Sequence, residues 1–211
     1  MEMAKPRLLD LFCGAGGASM GYHRAGFEVE GVDIKPQPHY PFKFYQADAL
    51  EFPIEGYDAY HASPPCKFAT KTGWAIYFHY RENHLDLLTP TRERFQRLND
   101  PWVIENVPGA PMVPHLQLCG STFGLNLRRH RWFEFSRGEL VLAYPCIHKA
   151  GVASPHGHPR HSGEGSTWGP ALGIDWMTTD ELSQAIPPAY TEYIGKYLIE
   201  VLKREYAREQ G

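Results

Sequence analysis

The sequence of 211 residues has little cysteine, no long apolar run and no excess of basic charge. Four cysteines are too few for a disulfide-stapled secreted scaffold, so we expect reduced thiols. No apolar run approaches the roughly 20 residues that a membrane-spanning helix needs. The opening residues, Met1 to Arg7, lack the apolar stretch of a signal peptide. These absences predict a cytoplasmic protein.

Charge is distributed unevenly along the chain. The 21 Lys and Arg against 24 Asp and Glu give a formal net charge of −3, which excludes a basic nucleic-acid coat protein. Residues 126–161 nevertheless hold six basic residues, two acidic residues and five histidines, whereas residues 162–211 hold four basic and eight acidic residues. The first segment either faces phosphate groups or is a solvated loop that contains arginines.

The order of apolar segments predicts an α/β fold in one globular domain. Short apolar runs, typical of buried strands, alternate with stretches of helical character in the first half of the chain. This alternation predicts a mostly parallel mixed sheet with helices on both faces. The predicted strands cover residues 7–12, 27–34, 42–45, 57–62 and 102–104, and the predicted helices cover residues 17–25 and 89–98.

The pattern changes in the last third of the chain. Residues 132–135 and 140–142 are predicted to form a hairpin, and residues 144–173, rich in Gly, Pro, Ser and His, to form a long surface loop. A short helix is predicted to open at Thr179-Asp180-Glu181, and a longer one after Pro187-Pro188.

A glycine-rich turn follows the first predicted strand. Asp10–Gly17 reads D-L-F-C-G-A-G-G, and its glycines let a backbone approach a ligand at the start of a helix. Asp33, at the end of the second strand, is placed to accept ribose hydroxyls, and Asp48 follows the third strand. The turn therefore indicates a nucleoside cofactor, although a tight strand–helix turn without a ligand has the same pattern.

Three further motifs carry reactive groups. Cys66 follows Ser63-Pro64-Pro65 after the fourth predicted strand, where it is either a thiolate nucleophile or a buried structural cysteine. Glu105 ends an apolar strand, so desolvation would raise its pKa and let it hold a proton. Arg129 and Arg131 alternate along an extended segment and so would point to one side. They would grip an anion or serve as charges on an edge strand.

The set and order of these motifs resemble the DNA cytosine-5 methyltransferase family, in a compact form similar to phage or actinobacterial members. The resemblance spans most of the chain. Its matching segments are Asp10–Gly17, Ser63–Cys66, Glu105–Val107, Arg129–Phe133 and Ala185–Gly195.

The resemblance implies a Rossmann-like class I methyltransferase fold that binds S-adenosylmethionine and a flipped cytosine of DNA. It implies that Cys66 attacks C6 of the base, that Glu105 engages N3 and the N4 amine, and that Arg129 and Arg131 position the base. The implied cofactor residues are Asp10, Phe12, Cys13, Gly14, Gly16, Gly17, Asp33, Ile34, Asp48, Ala49 and Pro65. The implied substrate and DNA residues are Ser63, Pro64, Lys67, Lys71, Asn106 and Arg128.

The chain departs from the family mainly in size. We expect residues 1–136 to form the cofactor-binding and catalytic domain, 137–178 a minimal target-recognition insert, and 179–211 helices that complete the catalytic domain. So short an insert predicts loose sequence selectivity or a specificity partner. Cys146, His148, His156, His158 and His161 are capable of binding zinc, but their spacing matches no standard site, so no metal is predicted.

Other functions stay open at this point. An RNA cytosine-5 methyltransferase of the tRNA type would share Cys66, although the Cys-Phe-Thr tripeptide of that branch is absent. A free nucleotide as substrate and a catalytically silent DNA-binding homologue are further alternatives. The sequence motifs predict neither the oligomeric state nor a role in restriction-modification, protection or regulation. The resemblance places the protein in the cytoplasm of a bacterium or a phage-infected host.

Overall fold

In a computed structural model, residues 4–65, 86–136, 145–148, 152–155 and 164–209 can be described, and they contain one seven-stranded sheet. Its strand order is β3-β2-β1-β4-β5-β7-β6. The strands β1 to β5 are parallel to one another, and β7 runs antiparallel to both β5 and β6. The strands are β1 (Arg7–Leu11), β2 (Glu28–Asp33), β3 (Lys43–Gln46), β4 (Ala59–Ala62), β5 (Trp102–Asn106), β6 (Leu116–Leu118) and β7 (Arg131–Phe135).

Helices cover both faces of this sheet, which confirms the predicted architecture. Because side chains alternate along a strand, Leu8 of β1 faces one apolar cluster and Leu9 faces another. Tyr22 and Tyr190 belong to the first cluster and Phe95 to the second. The helices are α1 (Gly17–Ala25), α2 (Leu88–Phe95), α3 (Trp168–Leu172), α4 (Thr179–Gln184) and α5 (Pro188–Glu209), with 3₁₀ turns at Gly120–Phe123 and Glu164–Thr167.

The last helix packs closely against the first. Thr191 Oγ1 of α5 donates a hydrogen bond to the carbonyl oxygen of Ala18 in α1, at 2.8 Å. A Cβ on Gly21 would lie 2.0 Å from that same Oγ1, so the two helices approach across a bare backbone. The C-terminal segment is thereby fixed beside the glycine-rich turn that precedes α1.

Two predictions for the last third were wrong in part. The antiparallel partner of β7 on its outer side is β6, a three-residue strand that was not predicted; residues 140–142 lie outside the described residues. The predicted loop over 144–173 contains a 3₁₀ turn and α3, because Trp168 and Leu172 pack into a third apolar cluster. The short helix α4 is confirmed, with Thr178 rather than Thr179 forming a capping box with Glu181.

No helix within the described residues is both long and apolar enough to span a membrane.

Candidate active site

The glycine-rich turn lies at the carboxyl end of β1, between the ends of β2 and β4. Gly14 and Gly16 have φ values of 50° and 85°, in the left-handed region that glycine tolerates, and Phe12 shares that region with a φ of 58°. A Cβ on Gly16 would lie 2.8 Å from Cδ of Pro41. Gly16 is therefore required where the turn packs against Pro41, while the partly exposed Gly14 is required by its backbone conformation.

Asp33 is held rigidly next to this turn. Its Oδ2 accepts a hydrogen bond from the Gly14 amide at 3.1 Å, and its Oδ1 accepts one from the Lys35 amide at 2.9 Å. Each carboxylate oxygen can accept a second hydrogen bond, so the fixed carboxylate retains capacity for a ligand. The next residue, Ile34, exposes 64% of its surface, which provides an apolar face beside the carboxylate.

Asp48 lies at the adjacent end of β3. Its side chain is exposed, and Oδ1 accepts a hydrogen bond from the Leu50 amide at 2.9 Å. Ala49, in contrast, is buried in the apolar cluster of Leu9. Of these two predicted cofactor residues, Asp48 is the one whose side chain can reach a ligand.

Asp10 lies beneath the turn rather than at its surface. Ser19 Oγ donates a hydrogen bond to Oδ2 at 2.5 Å, and Tyr40 in turn donates to Ser19 Oγ at 2.8 Å. Burial raises the pKa of Asp10 to about 7, although the hydrogen bond from Ser19 opposes the rise. The carboxyl group thus fixes α1 below the turn. Asp10 and Cys13 are both buried, and the contact of each with a cofactor stays a prediction.

Gly17 is also buried, at the first position of α1. A Cβ there would lie 2.4 Å from the carbonyl oxygen of Ile186. This glycine is therefore required where the C-terminal segment crosses the start of the helix.

The ends of β4 and β5 are tied together by an asparagine. Asn106 Nδ2 donates a hydrogen bond to the Pro64 carbonyl oxygen at 3.0 Å, and its Oδ1 accepts one from the Val107 amide at 2.9 Å. Asn106 therefore positions the segment Ser63–Pro65 that leads into Cys66. Pro65 is exposed, while Cys66, Lys67 and Lys71 lie outside the described residues.

Glu105 and Arg131 form a buried ion pair beside this segment. Glu105 of β5 pairs in register with Phe133 of β7, so Arg131 is its diagonal neighbour on the same face. Arg131 Nε lies 2.8 Å from Glu105 Oε1 without hydrogen-bond alignment. Among the described residues, Oε1 is buried and has no hydrogen-bond partner. Burial raises the pKa of Glu105, against the opposing charges of Arg131 and Arg129.

His61, which the sequence analysis did not single out, lies in the protein interior next to Ser63. His61 is fully buried, and burial lowers its pKa to about 3, so its ring is neutral. Its Nδ1 lies 2.9 Å from Tyr22 Oη and its Nε2 lies 2.8 Å from Ser63 Oγ. The Ser63 side chain in turn lowers the pKa of Glu105. The bonds from Tyr22 through His61 to Ser63 require long-range contacts, which no local motif signals.

The Arg129 side chain does not lie beside Arg131 on Glu105 but contacts backbone carbonyl groups. Its guanidinium is buried and donates hydrogen bonds to the carbonyl oxygens of Pro155 and Ser183, the latter at 2.8 Å. It therefore braces the segments after β7, and it influences Glu105 through its charge. Arg128 is exposed and remains available for a phosphate.

Three solved structures similar to this chain are described as methyltransferases. A protein described as a DNA modification methyltransferase encoded within an E. coli prophage aligns with a TM-score of 0.62 and 16% identity, over 94% of this chain and 99% of its own. The Dnmt2 methyltransferase of S. pombe gives 0.60 and 13%, over 93% and 99%. The methyltransferase EhMeth of Entamoeba histolytica gives 0.59 and 13%, over 95% and 99%.

No protein-family model and no curated protein sequence matches this chain. The likeness therefore lies in the three-dimensional structure. It confirms the predicted α/β, Rossmann-like methyltransferase fold.

Proposed function

We propose that this chain is a DNA cytosine-5 methyltransferase that uses S-adenosylmethionine and forms a covalent bond between Cys66 and C6 of cytosine. The observation that carries the proposal is the buried Glu105 carboxyl group, whose Oε1 has no hydrogen-bond partner among the described residues. The Arg131 guanidinium 2.8 Å away offsets the charge of this atom, but its capacity for a hydrogen bond is left for a ligand to satisfy. The N3 and N4 positions of cytosine offer the matching groups.

Glu105 would make the base reactive. When the Cys66 thiolate adds to C6, negative charge develops at N3, and a proton held by Glu105 neutralises it. The raised pKa of Glu105 favours this protonated form. Arg131 keeps the carboxyl group oriented and limits how far the pKa rises.

The glycine-rich turn would hold the cofactor. Asp33 can accept ribose hydroxyls, Ile34 offers an apolar face for adenine, and Asp48 can accept from the adenine amine. When bound, S-adenosylmethionine supplies an electrophilic methyl group. C5 would take that methyl and leave S-adenosylhomocysteine. Loss of the C5 proton would then restore the C5–C6 double bond and expel the Cys66 thiolate, and return of the N3 proton to Glu105 would restore the enzyme.

DNA is the substrate that we infer from the similar fold of a protein described as modifying DNA and from the basic segment around Arg128. In this proposal residues 137–178 form a small target-recognition insert between the catalytic residues and α4. The duplex would release the cytosine from its stack before it reaches Glu105.

A mechanism-based trap tests the proposal. Oligonucleotides that contain 5-fluorocytosine retain the enzyme because fluorine at C5 cannot leave as a proton does. We expect a denaturation-resistant adduct that maps to the Cys66 peptide, forms with DNA in the presence of S-adenosylmethionine, and is lost in Cys66→Ala. An adduct with RNA alone would identify the RNA activity instead. No adduct with either polymer, despite cofactor binding, would identify a silent homologue.

A further inference from the structure

A second cluster of reactive side chains lies outside the proposed active site. It consists of Cys119, His130, Cys146 and His148, whose ligand atoms all lie within 4.8 Å of one another. Cys119 Sγ is 3.4 Å from His148 Nε2, and Cys146 Sγ is 3.5 Å from His130 Nε2. Neither cysteine is in a disulfide.

These spacings fit one tetrahedral metal ion. With Zn–S near 2.3 Å and Zn–N near 2.05 Å, tetrahedral angles place sulfur and nitrogen ligands about 3.6 Å apart and two sulfurs about 3.8 Å apart. Two of the four sulfur–nitrogen separations, Cys119–His148 and Cys146–His130, lie within about 0.2 Å of that value, and every other pair of ligand atoms lies within 4.8 Å. Two thiolates with two neutral imidazoles also balance the charge of a divalent cation.

The fold explains how half of the cluster is built. The antiparallel register of β6 and β7 pairs Leu118 with Arg131, so the next residues outward, Cys119 and His130, lie side by side. Ser121 Oγ lies 3.5 Å from Cys119 Sγ and donates to it, which supports a thiolate. This half therefore belongs to the edge of the sheet.

Cys146 and His148 come from the segment that follows β7 and complete the set. Both are among the zinc-capable residues that the sequence offers, together with His156, His158 and His161, which lie outside the described residues. The partners in the structure are distant in sequence. No standard ligand spacing reveals them, which is why no metal was predicted.

We propose that Cys119, His130, Cys146 and His148 bind one Zn²⁺ in a closed, structural site that fastens residues 145–148 to the edge of the sheet. All four coordination positions are filled by protein, so the site has no open position for catalysis. His130 lies between Arg129 and Arg131, so the ion holds the segment after β7 next to the arginine that pairs with Glu105. The site does not depend on the proposed methyl transfer.

Metal analysis of untagged protein tests this proposal directly. We expect one equivalent of zinc per chain by elemental mass spectrometry, released when the thiols are titrated with a mercurial. Cys119→Ser and Cys146→Ser should each lose most of that zinc. Cys66→Ser and His23→Gln, which change another cysteine and an exposed histidine, should retain it.

A spectroscopic measurement on the wild type removes any dependence on how the variants fold. After the zinc is removed by chelation under reducing conditions, one equivalent of Co²⁺ should give thiolate-to-metal charge-transfer bands and intense tetrahedral ligand-field bands, which Zn²⁺ abolishes. Three results would overturn the proposal. They are zinc-free protein without these cobalt bands, zinc that persists in both serine variants, and a Cys119–Cys146 disulfide whose reduced form binds neither metal.

Discussion

Arg131 Nε lies 2.8 Å from Oε1 of Glu105, at the end of two antiparallel strands and inside the protein. Desolvation raises the pKa of Glu105, and the guanidinium opposes that rise. Burial and the guanidinium charge thus act on the pKa of this carboxyl group in opposite directions. A raised pKa favours the protonated form, which a group needs in order to hold a proton against a base.

The ion pair predicts how the pH dependence of catalysis responds to Arg131→Gln. Without the guanidinium the pKa of Glu105 rises further, so the protonated form persists to higher pH. The alkaline limb of the pH–rate profile therefore moves to higher pH. The rate should also fall about 10²-fold, because the carboxyl group loses its orientation. Single-turnover methyl transfer across a pH series measures both effects.

Arg92→Gln is the matched control for that variant. It breaks a second buried pair, in which Arg92 Nε lies 2.7 Å from Glu134 Oε1, away from Glu105. It should lower stability and leave the pH profile in place. An unshifted alkaline limb in Arg131→Gln would show that the pair does not set the protonation of Glu105.

Asp33→Ala should weaken the binding of S-adenosylmethionine. A carboxylate fixed by two backbone amides that also accepts ribose hydroxyls contributes about 1–3 kcal/mol, or roughly 5- to 150-fold in Kd. Calorimetric titration measures the change. Asp58→Ala is the control, because Asp58 accepts from the Arg7 amide at the opposite end of the strands. Equal affinities for all three proteins would remove Asp33 from the cofactor site.

Glu30 predicts an acid-sensitive contribution to stability. Its burial disfavours the charge, but hydrogen bonds from Tyr57, Lys43 and Arg7 outweigh that penalty and lower its pKa to about 2. The folded pKa is below the unfolded one. The stabilisation is therefore fully present above about pH 4.5 and is lost as the pH falls towards 2.

Glu30→Gln should accordingly lower the free energy of unfolding at pH 7 by about 1–3 kcal/mol. The difference from the wild type should shrink as the pH falls from 4.5 towards 2. Urea unfolding at several pH values measures it. A difference that does not change over this range would mean that the ionised carboxylate is not the source of the stability.

Phosphate contacts predict that affinity for DNA falls with salt. Arg128 is exposed in the basic segment, so Arg128→Gln should weaken binding for all sequences and reduce the slope of log K against log salt by about 1. Lys203→Gln removes an exposed lysine that pairs with Glu200 on α5, and it should leave the slope unchanged. An affinity independent of salt would point to a substrate the size of a nucleotide.

The helices and strands that were predicted most accurately are those marked by glycines or apolar runs in the local sequence. The bounds of α1 agree with the prediction because Gly16 and Gly26 flank it with positive φ values. The apolar runs of β1, β2 and β5 were equally clear. β6 escaped prediction because it has three residues, of which Gln117 is polar and exposed.

The features that escaped prediction at the site depend on contacts between distant segments. In the sequence, His61 is an ordinary residue of a predicted strand. In the structure, Tyr22 and Ser63 contact its two ring nitrogens. Asn106 binds the Pro64 carbonyl and the Val107 amide through its side chain, and its predicted contact with the substrate stays a prediction. No local periodicity carries that information.

The most direct test is mass spectrometry of nucleosides from host DNA and RNA after expression of the wild type and of Cys66→Ala. We expect new 5-methyldeoxycytidine in DNA from cells with the wild type and none from cells with the variant. DNA without that nucleoside, or with equal amounts from both proteins, would contradict the proposed activity.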